Sequence, residues 1–223
     1  MYLNRRVFFS TLITLLITSF PTILFAQTPH TLSPSADSIQ LPMTFEQNVG
    51  QVDADVTFLA RGGGYTLYLT DNQAVFALHQ SVDVENNATA QTNLTMALVN
   101  SLAPTQIGGE YLQAGVSNYF IGNDPNGWQT NVPHFGAIRY ADVYAGVDLL
   151  YYGNASELQY DFVVSPNADP NNIQIEFAEA DLLELDSDGD LLIHTAAGIV
   201  HQHAPFSYQD IDGERVEVAS EFT

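Results

Sequence analysis

NYFIGNDPNGWQTNVPHFGAIRYADVYAGVDLLYYGNASELQYDFVVSP, residues 118–166, is the stretch whose reading decides the fold. It holds ten aromatic residues, including the only tryptophan, Trp128, and six of the eleven tyrosines. Gly, Asn and Pro punctuate it, which describes short strands carrying a heavy packing load. Strands are expected near Ala137–Tyr140, Val147–Tyr152 and Glu157–Val164. Tyr151 and Tyr152 must then point to opposite faces of one strand, so most of these rings go to a core and few to a binding surface.

Working outward, Val56–Ala60, Tyr65–Leu69, Ala74–His79 and Leu94–Val99 read as strands, the first three separated by Gly62-Gly63-Gly64 and Asp71-Asn72-Gln73. Polar Ser81–Asn93 reads as a surface loop, and Ser101–Glu110, with Pro104 and Gly108-Gly109, as a connector. The tail repeats one device: Ile173–Phe177, Leu182–Leu185, Leu191–Thr195, Ile199–His203, Phe206–Gln209 and Val216–Ala219 are short runs, with Asp188-Gly189, Ala197-Gly198 and Asp212-Gly213 among the turns between them. No window shows helical periodicity. The expected fold is all-β, an antiparallel β-sandwich or open barrel built as a hairpin meander.

Residues 1–26 read as an export signal: Arg5 and Arg6, an apolar run from Val7 to Phe25, then Ala26. The paired arginines also suit a twin-arginine route. Residues 27–42 are rich in Pro, Ser and Thr and read as a flexible spacer; 43–223 is the β-rich domain, expected to be truncated at its C-terminus. There is no Cys, so the exported chain must be held by its core or by metal. The formal charge is −21 with no Lys, a surface that repels nucleic acid and DNA-like polyanions. Solubility in a salty medium or divalent-cation binding by carboxylates would each explain it.

Asn118-Tyr-Phe-Ile-Gly-Asn-Asp-Pro, Trp128-Gln-Thr-Asn-Val-Pro, Arg139-Tyr, Tyr144-Ala-Gly-Val-Asp-Leu149, Tyr151-Tyr-Gly, Tyr160-Asp-Phe-Val-Val and Pro205-Phe-Ser-Tyr-Gln with Asp212-Gly213 together resemble a bacterial domain of unknown function. That domain precedes SBBP repeats, predicted β-propeller repeats, in exported surface proteins. Phe45-Glu-Gln-Asn-Val-Gly-Gln51 looks like its start, so the likeness covers nearly all of the chain after the spacer. Ala145 and Val49 depart from it, standing where the family has Pro and Arg. The resemblance implies an exported, non-catalytic β module and carries over no active-site residues.

Four constellations are weighed for chemistry. Asp186, Asp188 and Asp190 alternate as in a calcium loop, but Leu191 and Ala197 stand where such a loop needs Gly and Glu, so a hairpin turn is expected. If Ala197-Gly198 is the turn, His194 faces His201 with His203 beside it, a possible metal site. If the next hairpin turns at Asn154-Ala155, Asp148 faces Asp161, with Arg139 on the preceding strand; an ion pair, a cation site and an acid/base pair remain open. Trp128, with Asp124-Pro-Asn-Gly127 before it as a loop, is the exposed aromatic best placed to bind a sugar.

The expected function is that of a non-enzymatic module with a structural or adhesive role, secreted or at the cell surface. Its partners would be surface glycan or downstream propeller repeats. A glycan-binding module using Trp128 is the alternative, and a metal-dependent hydrolase the third reading.

Overall fold

The computed structural model describes residues 7–15, 43–83, 88–153, 157–211 and 213–223. Its strands are β1 (Val7–Leu15), β2 (Phe45–Gln47), β3 (Phe58–Gly62), β4 (Tyr65–Leu69), β5 (Gln73–Asp83), β6 (Ala88–Leu98), β7 (Gln106–Tyr119), β8 (Gln129–Tyr144), β9 (Val147–Gly153), β10 (Glu157–Val164), β11 (Ile175–Ala178), β12 (Leu182–Leu185), β13 (Leu191–Thr195), β14 (Gly198–Gln202), β15 (Phe206–Ile211) and β16 (Glu214–Val218). Every pairing among them is antiparallel, and they join in one sheet curled into a half-barrel. The all-β expectation is therefore met.

Strict alternation explains why these segments are strands. Tyr65, Leu67 and Leu69 of β4 are buried while Thr66 and Tyr68 between them are not. Val147, Leu149 and Tyr151 of β9 turn inward, as do Leu158, Tyr160, Phe162 and Val164 of β10. Curling the sheet brings β2–β6 over β8–β10, so both inner faces share one core. A ladder of rings crosses three strands: Tyr140 meets Tyr151 at 5.7 Å, Tyr151 meets Tyr160 at 6.3 Å and Tyr160 meets Phe162 at 5.9 Å. Such contacts add about 0.5–1.5 kcal/mol each beyond area burial. Burial pushes the Tyr151 hydroxyl well above its ordinary pKa, with Tyr140 and Tyr160 adding to the effect. Most of the aromatic block thus builds the core, as strand parity requires.

Long β8 organises the molecule. One edge pairs with β7; the other pairs with β2 at His134–Phe135 and with β9 at Ile138–Tyr140 and Tyr144. Asp142 takes a left-handed φ of 58° where the β8–β9 register breaks, and its N–H donates to Asp148 Oδ1 at 2.9 Å. The buried Tyr144 hydroxyl ties β8 to the Val99 and Gln174 carbonyls.

Two expectations need correction. The second half of the Ser101–Glu110 connector, from Gln106, is instead the start of β7, whose backbone pairs with β8; Ser101–Thr105 remains connector. Gly108-Gly109, expected in the connector, lies within the strand, with the Phe135 ring occupying the place a Cβ on Gly109 would take. Of the expected Ser81–Asn93 loop, Ser81–Asp83 and Ala88–Asn93 are instead strand, paired across β5 and β6 from Ala77↔Asn93 to Asp83↔Ala88. Polar composition there is compatible with strand pairing, because the ladder is made by backbone groups.

Part of the expected export signal, Val7–Leu15, is seated as β1, between β10 on one side and β14 and β15 on the other. The rest of that signal, the 27–42 spacer and the Asn154-Ala155 turn centre lie outside the described residues.

Candidate functional site

Arg139 and Asp148 do meet, on the outer face of β8 and β9. Arg139 Nη1 lies 3.3 Å from Asp148 Oδ2, but its stronger partner is Glu110, with Nε 2.5 Å and Nη2 3.4 Å from the two carboxylate oxygens. The Glu110 hydrogen bond raises the guanidinium pKa most, opposed by burial and reinforced by the charges of both acids. This is a fork-to-carboxylate pair between neighbouring strands, about a third exposed. Glu110 lies in the segment that reads as a connector, so its pairing with Arg139 is not legible in the sequence.

Asp148 does not face Asp161. The register places Asp148 opposite Val163 and Asp161 opposite Leu150, two residues from the expected alignment. Asp161 is instead buried beside Tyr152, whose hydroxyl lies 3.1 Å from both carboxylate oxygens. Asp148 and Asp161 thus have partners of their own, Arg139 and Tyr152, in place of each other.

The histidines are displaced in the same way. The β13–β14 turn falls on Ala196-Ala197, so His194 faces Ile199 and His201 faces Leu192. His194 Nε2 lies 3.5 Å from Glu184 Oε2, and His203 Nδ1 shares a 2.7 Å hydrogen bond with Asp190 Oδ2. Among the described residues no three His, Cys, Asp or Glu side chains form a group able to hold a metal ion. Asp186 accepts from the N–H groups of Asp188 and Asp190, and Gly189 sits at φ 86°, the expected hairpin turn.

Asp190 is the anchor of this corner. Burial works to raise its pKa, but hydrogen bonds from the Ala204 N–H and His203, with the His203 and His201 charges, hold it below the ordinary carboxylate value. A depressed folded-state pKa means stability present above the unfolded value and lost as pH falls through the folded one. Urea unfolding should therefore separate wild type from Asp190→Asn at pH 7, and the gap should close on acidification below about pH 4.

Trp128 stands where its loop was expected to present it, 37% exposed after the 3-10 turn Pro125–Gly127. Its ring packs edge-on against Phe120 at 5.1 Å, and Nε1 donates to the Gly122 carbonyl at 3.3 Å. Phe120 and Ile121 beside it, and Tyr111, Leu112 and Val116 along β7, are also exposed. β7 pairs only with β8, so Tyr111, Leu112 and Val116 lie on a strand whose other edge is unpaired among the described residues, and Phe120, Ile121 and Trp128 continue the run in the loop that follows.

Under this edge lies a polar cluster that sequence reasoning missed. Glu46 of β2 is buried; Arg61 Nη1 reaches its Oε1 at 2.8 Å and the Tyr119 hydroxyl donates to Oε2. The Arg61 guanidinium also sits 5.8 Å over the Tyr119 ring. His134 Nε2 lies 2.8 Å from Ser117 Oγ and 3.9 Å from Glu46 Oε1. A Ser-His-acid relay needs the base and the orienting contact on different ring nitrogens. Here one nitrogen serves both, so the cluster joins β2, β3 and β7 and does not build a nucleophile. Glu46→Ala should cost about 2 kcal/mol by stranding the Tyr119 hydroxyl and one end of Arg61. The loosened end of β7 should red-shift the fluorescence of Trp128, the only tryptophan, while Tyr119→Phe costs less.

No curated protein and no solved structure matches the chain. A family model described as a domain of unknown function, DUF7948, matches residues 45–223, from the Phe45 that opens β2 through the edge and cluster just described. With a match over most of its length, the chain belongs to the DUF7948 family.

Proposed function

We propose that this DUF7948 domain is an exported, non-enzymatic β module with a structural or adhesive role at the bacterial cell surface, working beside SBBP propeller repeats in longer relatives. The observation that carries the reading is the exposed apolar run of β7 and its loop, Tyr111, Leu112, Val116, Phe120, Ile121 and Trp128. An exposed run of this kind along a strand edge marks a contact surface for another protein layer. The acidic composition and absence of cysteine fit an extracellular surface without disulfides. A cavity lined by Asp71, Tyr140 and Tyr151 has room for about one water, which suits a packed scaffold.

The test is co-sedimentation of the full chain with cell envelopes of its source bacterium. Leu112→Ser with Ile121→Ser should lower the bound fraction at least tenfold with little change in melting temperature. Equal sedimentation of the variant would sink the reading. The glycan alternative has its own signature: an emission shift of Trp128 on a sugar panel, abolished with the binding in Trp128→Ala.

A further inference from the structure

β1 links β10 to β14 and β15; among the described residues β10 otherwise pairs only with β9, β14 with β13 and β15 with β16. β1 runs antiparallel to β10, to β14 and to β15. Its two neighbours are therefore parallel to each other and two strand spacings apart, about 9.5 Å. They are too distant to bond directly, so without an occupant both would present open edges inside the sheet. β10 offers pairing from Glu157 to Val164. On the opposite side, Val200–Gln202 and Phe206–Gln209 act as one broken edge.

The inner lining of this position is core. Leu158, Tyr160 and Phe162 come from β10 and Val200 from β14, all buried. Gln202, 0% exposed, donates through Nε2 to the Tyr160 hydroxyl, from one wall of the position to the other. Gln202 Oε1 and Ser207 Oγ, the latter residue 1% exposed, have no hydrogen-bond partner among the described residues. The register sets Ile13 opposite Gln202 and Phe9 opposite Ser207. A hydroxyl carried at those two positions would supply both groups with a hydrogen bond.

The family match begins at Phe45, so β1 reaches the sheet from outside the DUF7948 boundary. It is also drawn from the segment whose composition reads as an export signal, and cleavage of that signal would vacate the position. We propose that the channel between β10 and β14–β15 is a strand-acceptor site, with Val7–Leu15 as its occupant in the full chain. Its ligand is an extended, uncharged polypeptide segment of about eight residues, running antiparallel to β10. Burial of the lining excludes a charged inward residue. Gln202 and Ser207 favour Ser or Thr at the two positions level with Ile13 and Phe9, four residues apart and so on one face.

The test uses the full chain with a protease site inserted after Gln27, cut after folding. A fluorescent synthetic Val7–Leu15 peptide should enter the nicked protein and bind the uncut chain at least tenfold less, because the tethered strand competes at high effective concentration. A peptide carrying Thr11→Pro should fail. One carrying Phe9→Thr and Ile13→Thr should bind several-fold tighter than the parent sequence. Hydrogen exchange should show amides of 157–164 and 206–209 protected when the position is filled and exposed when it is emptied. If release unfolds the nicked protein, adding peptide should restore its circular dichroism. Failure of the peptide to enter folded nicked protein or to restore unfolded protein overturns the proposal. So does release of the fragment with protection unchanged.

Discussion

Phe45→Ala should destabilise the domain by about 4 kcal/mol, the loss expected when a fully buried phenylalanine leaves a cavity. Phe45 is 0% exposed and belongs to the three-residue strand β2. Its register partners are Ala60 of β3 and Phe135 of β8, so one ring fills the joint between the β3–β6 sheet and the long strand that carries β7 and β9. So short a strand has few ladder bonds of its own, and its stability comes from this ring and from the Glu46 cluster on its outer face. Neighbouring side chains are set in strands and can collapse only partly. At about 2–4 °C per kcal/mol for a domain of this size, the melting temperature should fall on the order of 10 °C. Phe45→Leu, which keeps most of the volume, should recover more than half. A melting point for Phe45→Ala within two or three degrees of wild type would show that the joint packs differently.

Gly153→Ala should be the second largest loss, about 3 kcal/mol, for a different reason. Gly153 ends β9 at φ 153°, and a Cβ there would stand 2.2 Å from the Glu157 carbonyl oxygen and 3.2 Å from the Leu158 Cα. Both obstacles are backbone, so no rotamer change relieves the clash. Shifting Glu157 would disturb the β9–β10 register, on which the inward set of Tyr151 and Tyr160 depends. The Gly153 carbonyl also accepts from the Met43 N–H at 3.1 Å, anchoring the chain just before β2. Urea unfolding of Gly153→Ala beside Gly122→Ala separates the causes. Gly122 also has a positive φ, 78°, but nothing lies within 4 Å of its Cβ position. The Gly122 variant should cost about 1 kcal/mol, from backbone strain alone.

Function rests on which residues these elements hold together, and here the sequence was legible unevenly. Its alternation gave the parity that sends Tyr140, Tyr151, Tyr160 and Phe162 inward, and the Asp124-Pro-Asn-Gly127 loop leaves Trp128 at the surface. It could not count turn residues. Moving the β9–β10 and β13–β14 turns by one residue moves each opposing pair by two, which keeps faces but exchanges partners. Asp148 was therefore placed on the correct strand and given the wrong opposite, and His194 lost His201 in the same way.

The sequence by itself determined an all-β chain of hairpins, because period-two burial and turn residues are local properties. Only the tertiary structure decided that Glu110 grips Arg139, that Glu46 binds Arg61 and Tyr119, and that a strand from outside the family domain sits between β10 and β14–β15. Those contacts join residues 15 to 202 positions apart. They depend on how a curled sheet closes, and no local pattern encodes that closure.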